Sequence, residues 1–100
     1  MVKHVILWNL KEEANTESVK MGIKTSLEAL KGKIPGLLEI KVYINPLETS
    51  NCDVMLYSEF ESIDALKAYA VHPDHVYVAD TYVRPYTKAR VCMDTEGCER

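Results

Sequence analysis

The stretch VKHVILWNL, residues 2–10, is apolar on both of its alternating sets: His4, Ile6 and Trp8 face one way, and Val5 and Leu7 face the other. A period-two segment of this kind is a strand covered on both faces, so whatever packs on one side, something else must cover the other. That requirement narrows the folds open to a chain of 100 residues, which forms a single domain and buries only about 60 to 68% of the surface it would expose unfolded.

The hydrophobic period then changes several times. After the polar run KEEANTES, residues Val19, Ile23, Leu27, Leu30 and Ile34 recur at steps of four, four, three and four, one stripe of a helix. Gly32 and the Pro35-Gly36 pair close it. LLEIKVYI alternates over 37–44, with Leu38, Ile40, Val42 and Ile44 opposite Glu39, Lys41 and Tyr43, a second strand. A loop with Pro46 leads to a third strand at 53–60, in which Met55 and Tyr57 oppose Val54, Leu56 and Phe60. Ser62 caps a short helix carrying Ile63, Leu66 and Ala70. Pro73 ends that helix and suits the first turn of another, running to about Val83. A fourth strand is expected over 86–94, with 95–100 as a flexible tail.

Strand, helix, strand, strand, helix pair, strand is the order of an α+β ferredoxin-like sandwich with a four-stranded antiparallel sheet and one domain over 1–94. Its helices cover one sheet face. The simplest cover for the other is a second copy of the chain, pairing two sheets into a dimeric α/β barrel.

Charge and composition exclude several function classes. The net charge is −3 and the 12 Lys and Arg are scattered, so there is no footprint for nucleic acid. No apolar run approaches the roughly 20 residues of a membrane span, and residues 1–4 lead into a strand rather than a signal-peptide core. A cytoplasmic protein is expected. Cys52, Cys92 and Cys98 are an odd count without paired spacing and are read as reduced thiols. No cofactor motif and no metal site is expected; His72, Asp74 and His75 lack a convergent further ligand.

Chemistry concentrates in LKAYAVHPDHVYV, residues 66–78. A neutral imidazole and a phenol in one apolar pocket can pass a proton to and from a carbonyl compound. Tyr69 and His75 lie on opposite sides of the Pro73 break, so a bend there would bring them together, with His4 reaching the same cavity from the sheet. A purely structural account runs beside this one. His72 would cap the following helix, Asp74 would suit its positive end, and His75 would bond a backbone carbonyl. Trp8 reads as core packing.

The opening VKHVILWNLK, the helix end LKGKIPGL, the passage SEFESIDALKAYAVHPDHVYVAD and the final RVCMD together resemble the stress-responsive dimeric A/B barrel (Dabb) family, which includes polyketide cyclases like olivetolic acid cyclase. The resemblance implies a homodimer that binds a small apolar or carbonyl-bearing ligand. Where members are cyclases, it implies Tyr69 and His75 as the acid/base pair and His4 as a pocket histidine, so an enzyme acting on a small carbonyl compound is the alternative to a binding protein. Trp8 joins the expected ligand-binding set, together with Leu27 and Val54, which stand where two further polar pocket residues of those cyclases fall. That departure argues against a poly-β-keto substrate.

Overall fold

The computed structural model describes residues 1–97. The elements are β1 (Val2–Leu10), α1 (Glu17–Glu28), β2 (Leu37–Tyr43), β3 (Val54–Phe60), α2 (Ile63–Val71), α3 (Pro73–Val78) and β4 (Thr87–Glu96). A short 3-10 turn at Glu12–Ala14 precedes α1, and a π-helical turn at Ala79–Val83 followed by a 3-10 turn at Arg84–Tyr86 joins α3 to β4. The sheet order is β2-β3-β1-β4 with every pairing antiparallel. This is the ferredoxin-like sandwich expected from the element order.

Each helix starts where a side chain can satisfy its first N–H groups. Thr16 Oγ1 accepts from Val19 N–H at 3.2 Å, and Ser62 Oγ accepts from Ala65 N–H at 3.1 Å. His72 Nδ1 accepts from Asp74 N–H at 3.1 Å, with Pro73 at the first helical position. The regular part of α1 ends at Glu28, six residues before the end of its apolar stripe. Leu30 and Ile34 are still buried, carried by turns in which Gly32 has φ of +86°. Gly36 also has φ of +86°, and a Cβ there would lie 2.6 Å from Ala65 Cβ, so the β2 entry and α2 approach at a distance only glycine permits.

The helices bury one sheet face. On β1 that face carries Val2, His4, Ile6, Trp8 and Leu10, all buried, while Lys3 to Asn9 on the other set are only half-covered. Val54, Leu56, Ser58 and Phe60 of β3 and Ile40 and Val42 of β2 complete the floor beneath Ile23, Leu27, Leu66 and Tyr69. On the edge strand β2 the outward groups of Val42 are both used: its N–H donates to Glu28 at 2.9 Å and its carbonyl accepts from Lys24 at 2.8 Å, which blunts the edge against further pairing.

The opposite face is left open. Register places Val5 between Tyr57 and Met93, and Leu7 between Met55 and Val91, with Tyr43 beyond Met55. Val91 and Met93 are 66% and 69% exposed. The two-faced apolarity of β1 is thus met on one side only within a single chain.

β4 continues to Glu96, two residues past the expected end. Thr95 and Glu96 belong to the sheet, and Gly97 N–H donates to the Met1 carbonyl at 2.7 Å, because the strand goes on pairing along β1 as far as Val2. The rest of the expected tail, residues 98–100 with Cys98, lies outside the described residues. Cys52 and Cys92 are free thiols.

Candidate small-molecule site

The break at His72-Pro73 turns α3 back against α2, and this sets the geometry of the site. The His75 and Tyr69 rings stack with centroids 4.2 Å apart and planes at 37°. Tyr69 in turn lies 4.9 Å from Phe60, and Phe60 meets His4 edge-on at 6.1 Å. Four rings, one each from β1, β3, α2 and α3, therefore form one run beneath the helices.

Hydrogen bonding and burial define the chemical state of His75 and Tyr69. His75 Nδ1 lies 3.2 Å from the Ala70 carbonyl, a contact that requires the Nδ1–H tautomer and leaves Nε2 with its lone pair. Burial holds the His75 pKa below the usual histidine value, although the Ala70 carbonyl works against it, and the positive charges of Arg84 and Arg90 lower it further. The ring is a neutral base near pH 7. Tyr69 is 1% exposed, and burial pushes its phenol well above the usual tyrosine range. Its hydroxyl is the one buried side-chain polar atom among the described residues that has no hydrogen-bond partner. A buried, unpartnered hydroxyl costs about 1–3 kcal/mol.

Beside His75 is a cavity of about 90 Å³. Ile6, Trp8, Leu56 and Leu27 form its apolar wall, from β1, β3 and α1. Ala79 and Val83 come from the π-helical turn and Arg84 from the residue that caps it, its N–H bonding the Ala79 carbonyl five residues back. Spacings of four and five share a side only on so wide a turn, a distortion often found at functional sites. Thr87 and Arg90 close the polar end.

The structure brings together some of the residues expected from the sequence and separates others. His75, Trp8 and Leu27 line the cavity. Tyr69 sits behind His75 rather than on the wall. His4 does not reach the cavity: Phe60 lies between it and Tyr69, and its Nδ1 bonds the Asp94 carboxylate on β4. Val54 is buried and lines instead, with Leu7, Tyr43, Leu47 and Met55, a groove of about 400 Å³ under the 44–53 loop. His72 stands apart as the helix cap.

Sequence reasoning missed Arg84 and Arg90. Arg90 was detectable in principle, since it shares the alternating set of Cys92 and Asp94, and pairing with β1 sets it opposite Trp8. Arg84 depends on the π-helical turn, which no local pattern announces. A metal-capable group also emerges away from the 72–75 motif: one ligand atom each of His4, Cys92 and Asp94 lies within 4.8 Å of the others. Of the three only the imidazole is buried, and His4 and Asp94 are already bonded to each other.

A four-stranded antiparallel sheet covered by helices on one face places the chain among ferredoxin-like folds. The sequence model of the stress responsive A/B barrel domain matches residues 2–96, and the chain belongs to that family. A dimeric protein of unknown function and ferredoxin-like fold from Bacteroides fragilis is 33% identical, with a TM-score of 0.86 over 96% of this chain and 95% of that one. A Dabb family protein with a ferredoxin-like fold from Mesorhizobium loti is 17% identical, at 0.78 over 98% and 97%. The hydroxynitrile lyase from Passiflora edulis shares the fold at 15% identity, with a TM-score of 0.82 over 99% and 94%. No curated protein sequence matches the chain significantly. Among the described residues no helix is long and apolar enough to cross a membrane.

Proposed function

We propose that this chain is a homodimeric, cytoplasmic protein that binds a compact carbonyl compound beside His75. The observation that carries the reading is the unpartnered hydroxyl of Tyr69, whose ring stacks on His75 at the cavity wall. A ligand that turns the His75 ring aside from Tyr69 would bring an oxygen to that phenol and remove the cost of leaving it unsatisfied. The cavity, at about 90 Å³, is well below the roughly 300 Å³ and more of ordinary ligand sites, which supports a small ligand and a binding role over the chemistry of a large substrate. The exposed apolar face around Val91 and Met93, and the dimeric state of the Bacteroides fragilis relative, support the homodimer. The unpaired thiols of Cys52 and Cys92 suit a reducing compartment.

Acid/base catalysis is the second reading, favoured by the state of His75. With Nδ1–H held by Ala70 and burial keeping the ring neutral, Nε2 can take a proton from the carbon next to a carbonyl, and the Tyr69 phenol can donate to its oxygen once the His75 ring that separates it from the cavity turns aside.

Titration with 2-butanone, followed by protein NMR, tests the first reading. Binding to the native protein should weaken by about fivefold or more in Tyr69→Phe, which keeps the packing and deletes the donor. Binding unchanged in that variant would remove the basis of the proposal. Proton-deuterium exchange at the ketone's α-carbon, faster than buffer and lost in His75→Ala, would move the assignment to catalysis.

A further inference from the structure

We infer that the cavity selects carbonyl compounds that also carry a carboxylate, short oxo acids, with Arg90 as the residue that reads the anion. The inference rests on the binding site proposed above and names its substrate class.

The polar end of the cavity is cationic. Arg84 and Arg90 both line it, and no Asp or Glu does. This is against the trend of a chain whose net charge is −3. Arg84 is partly engaged, since its guanidinium pairs with Asp80 four residues back. Arg90 takes part in none of the ion pairs among the described residues. It stands on β4 beside Trp8, so its side chain and the apolar wall are offered to the same guest. A guanidinium presents a rigid fork of donors that matches a carboxylate in two parallel bonds. Arg84 and Arg90 also act together on His75, where their positive fields add to burial in keeping the ring neutral.

Size completes the argument. A volume of about 90 Å³ corresponds to roughly three waters of liquid. A chain of a few carbons fills it, with the carbonyl near the His75–Tyr69 stack and the charged group at the arginines. Longer acids would have to leave their apolar end in solvent.

Three probes separate this inference from the reading beneath it: acetoacetate, its methyl ester, which keeps the ketone and removes the charge, and butyrate, which keeps the charge and removes the ketone. Affinities are read by calorimetry on the native protein and on Arg90→Gln, an exposed position whose substitution leaves the core untouched. Acetoacetate should bind about tenfold or more tighter than its ester, and Arg90→Gln should abolish that preference by weakening acetoacetate far more than the ester. Equal affinity for acetoacetate and ester would overturn the carboxylate inference alone, as would a preference that survives in Arg90→Gln. Butyrate binding as tightly as acetoacetate would keep the anion site and sink the carbonyl reading. Binding of none of the three by the native protein would overturn both.

Discussion

The two faces of the sheet share strands and differ in how their apolar residues are satisfied. On the helix side, Ile6 is 5% exposed and Phe60 fully covered; on the other, Met93 is 69% exposed, although Val5, Leu7 and Met55 beside it are just as apolar in pattern. The inner face is completed by residues of the same chain, because α1 and α2 follow β1 and β3 directly and need only short connections to pack back. None of the described elements packs over the outer face, where Val91 and Met93 stay largely exposed. Inner-face contacts therefore carry folding, and outer-face contacts are available for assembly.

Adjacent residues of β1 offer the sharpest test of that division. Ile6→Asp places an uncompensated carboxylate in the core and should cost more than about 4 kcal/mol, enough to unfold a domain of ordinary stability. Loss of the far-ultraviolet circular dichroism signal at room temperature checks it. Leu7→Asp, one residue on and on the other face, should leave that signal intact and move the sedimenting species from a dimer to one chain of 11.4 kDa. A native protein that already sediments as one chain at micromolar concentration would break the comparison at its outer half. A Leu7→Asp variant that unfolds as Ile6→Asp does would erase the difference between the faces.

Smaller effects probe the inner side alone. Gly36→Ala combines a left-handed backbone with the 2.6 Å approach to Ala65, and should lower stability by about 2–4 kcal/mol in urea titration, with an unchanged slope. The smallest expected effect is electrostatic. Burial lowers the His75 pKa, so the fold prefers the neutral ring. Its contribution is complete above the unfolded value of about 6.5 and fades as pH falls toward and through the lowered folded value. The melting temperature of the native protein minus that of His75→Gln should therefore shrink from pH 7.5 to pH 5. A difference that stays constant over this range would show that His75 does not titrate as its surroundings require.

Much of the architecture is legible without coordinates, because strands and helices impose periods that residues one to four apart must obey. The alternation in β1 and β2, the stripe from Val19 to Ile34, the Ser62 cap and the Pro73 break each announce an element, and their order suffices for the ferredoxin-like sandwich. The stacking of Tyr69 on His75 was also within reach, since the break between them is local. What the tertiary structure alone decided was set by side chains far apart in sequence. Phe60 interposes between His4 and Tyr69, Asp94 draws His4 toward β4, and strand register brings Arg90 beside Trp8. Even the end of β4 was decided this way, its strand running to Glu96 because β1 lay there to pair with it. A period records which way a residue faces; which distant residue it meets there depends on the closure of the whole chain, and local pattern carries no signal for that.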